Sequence, residues 1–402
     1  MKPPTQASTP MTDVNDILAK MDGLHKSRRD FMNALLSTML ALPGKMNFRN
    51  LGRFGSYSEK SYARHFARAF DFLQFNQLLL QGRLGDEVIA AIDTSFVAKS
   101  GKKTFGLDRF FDTKIRKARR GLEVSVLALV DVTTRNAYTL SARQTPAFPR
   151  SKTAPPKSER RLTHYTNQLA HIPSNIRYLA ADGAYARKEF FEAVRSNQRH
   201  LITRLRCDAN LRHLFQGPWP RRKGRKKRYD GKVDLSDVGR MDFVGVIDED
   251  VELYTALVNS PHMKQDFRIA YLLNRRRPEQ YIVLASTDLE LDARTIVKYY
   301  SLRFQIEMIF RDSKQHTGLC DAQARSQAKL DFHFNAALSA LNVARLNWYE
   351  KERNTFSMAS IKRISFNELF MDQIFLQLGL KSELLKMHPA FERLRSFGAI
   401  AA

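Results

Sequence analysis

A short stretch of the sequence concentrates charged side chains that could hold a phosphorylated ligand. The stretch YSLRFQIEMIFRDSK begins at Tyr300 and has helical periodicity. On a single helix, an arc of about 80° would hold Tyr300, Arg303, Glu307, Arg311 and Lys314. Glu307 can pair with Arg303 or Arg311 at a spacing of four residues, but one carboxylate does not neutralise three cations. The surplus positive charge therefore predicts an anion on this face.

Two aspartates each end an apolar run that predicts a buried strand. Asp93 follows EVIAAI, and Asp182 follows NIRYLAA. Strand ends in an α/β sheet are positions where side chains converge on a ligand, although each aspartate alone is also typical of a turn or helix cap. If Glu307 reaches the same place, the three carboxylates repel one another unless divalent ions offset their charge.

Such a cluster of oxygen ligands suits Mg²⁺ or Mn²⁺, which keep open positions for water and phosphate oxygens. Two ions roughly 3.5–4 Å apart activate an attacking oxygen and stabilise a leaving one in phosphoryl displacement. We therefore expect two Mg²⁺ ions, which Mn²⁺ can replace, at Asp93, Asp182 and Glu307. The cations of the helix and the Tyr300 hydroxyl are expected to hold the flanking phosphates.

The elements that must position these residues change type along the chain. Helical spacing extends from residue 12 to about residue 80, and β-branched runs then alternate with helices up to about residue 205. From there to about residue 288 the pattern is that of strands, after which helices return. This order predicts an α/β layer with mixed strand directions, followed by a β-rich insertion.

The spacing of Tyr300, Arg303, Glu307 and Lys314 resembles the Y-R-E-K signature of the IS4-type DDE transposases. The segments AIDTSF and AADGAY resemble the regions of that family's first and second aspartates. The resemblance covers about residues 87–325. It implies an α/β, RNase H-like catalytic core that a β-rich insertion interrupts between the second aspartate and the glutamate.

The resemblance also implies roles for single residues. The three carboxylates become the catalytic, metal-binding triad, and Tyr300, Arg303 and Lys314 contact DNA phosphates near the cut. The implied enzyme nicks DNA at insertion-sequence ends and joins the freed 3′-OH to target DNA. Its implied partners are double-stranded terminal inverted repeats, target DNA and a second copy of the chain on paired ends. Family members often stack a flipped base on an aromatic side chain of the insertion, for which Trp219 and Tyr281 are the candidates.

These patterns divide the chain into six expected segments. They are a disordered lead-in (1–11), a helical DNA-binding domain (12–84), the first part of the core (85–205), the β-rich insertion (206–288), the Glu-bearing part of the core (289–345) and a helical C-terminal region (346–402).

The charge of the chain favours nucleic acid as its partner. Lys and Arg number 66 against 41 Asp and Glu, which gives a net charge of +25 and a pI near 10.1. No apolar run approaches the roughly 20 residues that span a bilayer, and no basic anchor helix or lipidation motif favours a membrane surface. The two cysteines are far apart and the N-terminus does not resemble a signal peptide, so we expect a cytoplasmic protein. The resemblance implies a bacterial protein that is associated with the nucleoid when bound to DNA.

Further cations are candidate DNA contacts, and each has a simpler explanation as a solvated basic surface. Arg311 lies on the Glu307 helix, and a basic stretch after Asp93 is expected at the mouth of the site. The remaining candidates are Lys102 and Lys103 in that stretch, Arg221 and Arg222 in the block RRKGRKKR, and Arg64 and Arg68 on an N-terminal helix.

Two other functions fit the same residues. The first is a sequence-specific DNA-binding protein whose catalytic pocket has decayed, and the second is a metal-dependent nuclease that cuts DNA without strand transfer. Intact carboxylates at all three positions argue against the first. Only the fate of a cut 3′ end separates the second from a transposase.

Overall fold

The computed structural model describes residues 12–149, 152–218, 226–351 and 356–400, so the expected lead-in 1–11 lies outside it. No helix in these ranges has the length and apolar character to cross a membrane. The helices are α1 Thr12–Lys20, α2 Lys26–Ala41, α3 Phe48–Phe54, α4 Glu59–His65, α5 Phe72–Leu80, α6 Lys157–Thr166, α7 Lys188–Ser196, α8 Ala293–Leu302, α9 Gln305–Asp312, α10 Gln327–Lys351, α11 Met358–Gln377, α12 Ser382–Lys386 and α13 Pro389–Arg395.

The strands lie mostly between the two groups of helices, as the sequence predicts. They are β1 Val88–Ala98, β2 Asp108–Asp112, β3 Lys117–Asp131, β4 Asn136–Gln144, β5 Tyr178–Ala181, β6 His200–Leu205, β7 Arg212–Leu214, β8 Tyr229–Lys232, β9 Asp242–Asp248, β10 Val251–Ser260, β11 Gln265–Asn274 and β12 Tyr281–Ser286.

These strands form one mixed sheet in the described part of the chain, which confirms the mixed α/β class. Its order is β2-β3-β1-β5-β6-β12-β11-β10-β7-β8, with β4 beside β3 and β9 beside β10. Strand β1 is parallel to β5, and β5 is parallel to β6. On the other side of β1, β3 and β4 are antiparallel neighbours.

The β-rich segment continues the same sheet. Strand β12 is antiparallel to β6 on one side and to β11 on the other. The pair of Ala285 with Thr203 lies on this junction. Strands β7–β11 are therefore an extension of the sheet that carries β1 and β5.

One continuous hydrophobic core joins the N-terminal helices to the sheet and to α10. Tyr62 and Phe66 from the α4 region are both at most 1% exposed. Helix α10 packs on β4, α2 and α5. Its Asn342 accepts a hydrogen bond from the Thr139 backbone amide at 2.9 Å and donates to the Asn76 side chain at 3.1 Å. These buried polar contacts fix α10 against the sheet.

The expectation of one continuous helix from Tyr300 to Lys314 is wrong. Helix α8 ends at Leu302, and the amides of Arg303 and Phe304 bond to carbonyls three residues back, which tightens the backbone before α9 begins. After α9, a π-helical turn covers Ser313–Thr317. The side chains of this stretch are thus distributed over three segments, so the single arc does not describe them.

Candidate active site

The two predicted aspartates lie on adjacent parallel strands. Strands β1 and β5 pair with Ile92 opposite Ala181, so Asp93 and Asp182 take the next position on each strand line. The prediction that Asp93 ends its strand is wrong, because β1 continues to Ala98 along β3. From Asp93 onward, β1 is no longer paired with the parallel strand β5 but remains paired with the antiparallel strand β3. The side of Asp93 that faces away from β3 therefore has no paired strand beside it.

The explanation of Asp182 as a helix cap does not account for its side chain. Asp182 precedes a 3-10 turn at Gly183–Tyr185, but its carboxylate makes no capping hydrogen bond. Asp93 accepts one local hydrogen bond, from the Thr94 amide to Oδ1 at 2.7 Å. Its other oxygen is left for groups outside the strand.

Arg303 joins Asp93 to Glu307. Its Nη1 lies 3.3 Å from Asp93 Oδ2, and its Nη2 donates to Glu307 Oε1 at 3.0 Å. The Arg303 side chain is 14% exposed, whereas that of Glu307 is 41% exposed. Glu307 lies in the first turn of α9, which packs against β1. One guanidinium therefore connects carboxylates that are far apart in sequence and leaves Glu307 open to solvent.

The three carboxylates influence one another electrostatically. Burial raises the pKa of Asp93 to about 6, and the charges of Asp182 and Glu307 act in the same direction. The Thr94 amide and the Arg303 cation oppose this rise. Burial by itself lowers the pKa of Arg303, but the carboxylates around it hold that pKa above its ordinary value. The site is thus a concentration of negative charge around one cation.

The described conformation does not arrange these groups as a metal-ligand cluster. Among the residues that the structure describes, no three His, Cys, Asp or Glu side chains are close enough to hold a metal ion together. The Arg303 guanidinium contacts two of the carboxylates instead. The donor set nevertheless fits Mg²⁺ or Mn²⁺ in its chemistry, because carboxylate oxygens suit these ions and the mutual repulsion calls for positive charge. In this arrangement Arg303 supplies that charge.

Tyr185 is a buried neighbour of the site whose importance the sequence did not indicate. Its side chain is 4% exposed, and its hydroxyl has no hydrogen-bond partner within the described ranges. Burial raises the pKa of Tyr185 well above its ordinary value, and Asp93 adds to this effect. The one available signal was its position in AADGAY, three residues after Asp182. Its aromatic ring packs against those of Tyr165 and Phe190, with ring centres 5.8 and 5.0 Å away.

A buried ion pair anchors the helix that carries Glu307. Asp312 at the end of α9 accepts a hydrogen bond from Arg345 of α10, with Oδ2 and Nη2 2.9 Å apart. The two side chains are 7% and 5% exposed. Arg345 also donates to the Ala137 carbonyl of β4 at 2.6 Å. No spacing rule could have found this pair, because its partners lie on different helices.

The other residues of the predicted helix face do not all reach the carboxylates. Tyr300 is partly buried on α8, with the Arg303 guanidinium 5.6 Å from its ring centre. Arg311 is exposed and pairs with Asp312 at 3.0 Å. Lys314 is partly buried in the π-helical turn, and burial lowers its pKa. In the described ranges neither Arg311 nor Lys314 forms an ion pair with the triad.

The structure does not bring the remaining predicted DNA contacts into the site. Lys102 and Lys103 are exposed between β1 and β2, and Arg64 and Arg68 are exposed on and after α4. Within the described ranges, none of these four forms an ion pair with the carboxylates. Arg221 and Arg222 lie outside the described residues.

The structure describes one of the two candidates for base stacking, Tyr281. Trp219 lies outside the described residues. Tyr281 begins β12 and stacks on Tyr271, with ring centres 5.2 Å apart, while its hydroxyl donates to the Cys207 carbonyl at 3.0 Å. Its ring is thus held in place by its own strand neighbours.

Gly183 is expected to tolerate no larger side chain, because a Cβ there would lie 2.9 Å from the Arg204 carbonyl of β6. We expect Gly183→Ala to move the turn after Asp182 and to slow any reaction at this site by about 10²-fold, since small displacements of reacting groups cost that much. DNA nicking rates would measure the effect. Ala184→Ser is the matched control at an exposed position of the same turn. Equal rates for the two variants would show that the turn does not position Asp182.

Comparison with known proteins gives an independent view of the same region. A family model described as the transposase DDE domain matches residues 89–343. A comparison with curated proteins finds no match. The matched range takes in most of the chain and contains Asp93, Asp182 and Glu307. The chain therefore belongs to the DDE transposase family.

Proposed function

We propose that this chain is an IS4-type transposase that cuts DNA at insertion-sequence ends and joins the freed 3′-OH to target DNA. The observation that carries the proposal is the placement of Asp93 beside Asp182, with Arg303 connecting Asp93 to Glu307. The parallel pair of β1 and β5 within a mixed sheet supports an RNase H-like core. The Y-R-E-K spacing supports the IS4 type.

In this proposal Asp93, Asp182 and Glu307 hold two Mg²⁺ ions, or Mn²⁺ in their place. When bound, such ions supply charge that activates an attacking oxygen and stabilises a leaving one. Arg303 then releases one of its carboxylates and pairs with a DNA phosphate. The Tyr300 hydroxyl, beside that guanidinium, donates to a neighbouring phosphate oxygen.

The wider assembly is proposed on the same basis. Helices α1–α5 form the DNA-binding segment, and β7–β12 form the insertion that contacts DNA near the cut. The substrates are double-stranded terminal repeats and target DNA. Two copies of the chain act together on paired ends.

The fate of a labelled 3′ end tests the proposal. Duplexes that carry the inverted repeats flanking the coding DNA are incubated with the protein, Mg²⁺ and a target plasmid. We expect the labelled strand to appear in the plasmid. A pre-cut end with a 3′-OH should join, and the same end with a 3′-dideoxy nucleotide should not, because the attacking oxygen is missing.

The other outcomes separate the competing functions. Cut ends without joined products would indicate a nuclease without strand transfer. Duplex binding without any cut, in Mg²⁺ and in Mn²⁺, would indicate a DNA-binding protein whose catalytic pocket has decayed. Either result would overturn the strand-transfer proposal.

A further inference from the structure

A β-hairpin extends from the sheet near the candidate active site. Strand β2 pairs with the start of β3, from Asp108 opposite Gly121 to Asp112 opposite Lys117. All four residues of Lys117–Arg120 are exposed, whereas β3 is buried from Gly121 onward. These four residues extend about 13 Å beyond the buried part of the sheet. We call Asp108–Gly121 the hairpin arm.

The base of the hairpin arm is held firmly. Lys157 of α6 donates to the Asp108 carboxylate at 2.9 Å, and Arg161 of the same helix reaches it at 3.2 Å. The Arg161 guanidinium also lies 4.2 Å from the centre of the Phe110 ring and donates to the Arg109 carbonyl at 2.9 Å. The arm therefore projects in a defined direction from a fixed base.

The open face of the hairpin arm places like charges opposite each other. Arg109 and Arg120 are direct cross-strand partners, and both are exposed. Like charges in this position destabilise a sheet. The exposed Phe111, 58% accessible, and Ile115, 48% accessible, add uncovered apolar surface to the same arm. This combination is unfavourable in water and favourable against an anionic partner with apolar surface.

The hairpin arm has few acidic partners of its own. Its cations are Arg109, Lys114, Arg116, Lys117, Arg119 and Arg120. Arg119 pairs with Asp112 at 3.4 Å, and Asp108 is occupied by α6. In the part of the chain that the structure describes, no ion pair is formed by the other five.

The hairpin arm continues the strand that pairs with β1 at Asp93. Gly121 is five positions along β3 from Val126, the partner of Asp93, which corresponds to about 17 Å along the strand. Lys114 and Asp112 are near enough to Lys314 for their charges to influence it. A DNA duplex bound at Asp93 is wide enough to contact the hairpin arm as well.

We propose that the hairpin arm inserts into a groove of the DNA duplex beside the cleavage position, with Arg109 and Arg120 on a phosphate and Phe111 against the groove wall. The proposal rests on the proposed function in that the same duplex enters the carboxylate site. A two-stranded ribbon fits the major groove, which is about 12 Å wide and about 8.5 Å deep. A phosphate between the two arginines relieves their repulsion.

The salt dependence of duplex affinity tests whether the hairpin arm contacts DNA, under conditions in which the DNA is not cleaved. The full chain and the variant Arg109→Gln/Arg116→Gln/Arg120→Gln are titrated with a terminal-repeat duplex in EDTA at several NaCl concentrations. Arg109 and Arg120 share one phosphate, and Arg116 at the turn of the arm adds a second phosphate contact. Because each lost phosphate contact lowers the salt slope by about 0.9, we expect the slope to fall by about 2. Affinity at a fixed salt concentration should fall at least about tenfold. Thermal unfolding checks that the variant remains folded, since it loses both the repulsion between Arg109 and Arg120 and the hydrogen bond from Arg109 to the Ala118 carbonyl at 2.7 Å.

A matched control removes the same charge elsewhere. The variant Arg363→Gln/Lys381→Gln/Arg393→Gln alters three exposed cations of the C-terminal helices. We expect it to keep the wild-type slope. If the two triple variants have equal slopes and affinities, the hairpin arm does not contact DNA, while binding and strand transfer by the wild type would leave the proposed function intact.

The remaining outcomes are also decisive. Hairpin-dependent binding with no joined 3′ ends would support the arm and overturn strand transfer. Hairpin-dependent binding to phosphatidylserine vesicles, with unchanged DNA binding, would assign the arm to an anionic membrane surface and overturn the proposal.

Phe111→Ser should weaken duplex binding several-fold without changing the salt slope, because it removes apolar contact and no charge. Unchanged affinity would exclude Phe111 from the interface.

Discussion

Asp182→Asn is expected to abolish DNA nicking while leaving duplex binding within about twofold of the wild type. Asparagine keeps the shape of the side chain and loses the negative charge that a divalent ion requires. Since a metal site contributes several kcal/mol to the reaction, the nicking rate should fall on the order of 10³-fold or more. Single-turnover nicking of a terminal-repeat duplex in Mg²⁺ measures the rate, and a gel shift in EDTA measures binding.

The control for this experiment is Asp237→Asn. Asp237 is exposed in the β-rich segment, where its side chain accepts a hydrogen bond from the Gly239 amide at 2.8 Å. Its replacement removes one negative charge without touching the carboxylate site, so nicking should continue at the wild-type rate. The assignment of Asp182 would be wrong if its variant kept more than a tenth of the wild-type rate.

Asp312→Ala is expected to lower the free energy of unfolding by about 3–5 kcal/mol, because it leaves the Arg345 cation buried without its partner. Helix α9 would lose one of its contacts with α10, so nicking should fall as well. Urea denaturation followed by circular dichroism measures the stability change. The expected loss of stability is large because this ion pair is buried, whereas exposed ion pairs contribute only about 0–1 kcal/mol.

Arg311→Ala provides the comparison within the same helix. Arg311 is 56% exposed and contacts the same aspartate at 3.0 Å, so its loss should cost less than about 1 kcal/mol. A double variant, Asp312→Leu/Arg345→Met, should recover much of the stability, because neither charge remains unpaired. Equal destabilisation by Arg311→Ala and Asp312→Ala would show that the buried pair has no special role.

The sequence was most informative where local pattern decides structure. The apolar runs before Asp93 and Asp182 predicted two strands, and both strands are present and adjacent. The Ser58 side chain caps α4 by accepting the Ser61 amide at 3.2 Å, in keeping with the preference for serine at this position. The mixed α/β class followed from the same alternation of periods, and the family match bears out the transposase prediction.

The sequence was least informative where distant residues decide structure. The helix predicted through Arg303 is interrupted there, and this guanidinium contacts Asp93, 210 residues earlier in the chain. Periodicity contains no information about such a contact. The same holds for the pair of Asp312 with Arg345, and for the hydroxyl of Tyr185, whose surroundings come from several elements.

The junction of β6 with β12 has a mechanical consequence. Because β6 is hydrogen-bonded to β5 on one edge and to β12 on the other, no flexible linker separates Asp182 from strands β9–β11. The Thr203 hydroxyl of β6 even donates to the Asp182 carbonyl at 3.1 Å. If the proposed function is correct, a polynucleotide bound by those outer strands would be kept at a fixed distance from Asp182, and loading the substrate would require motion of the DNA rather than of these strands.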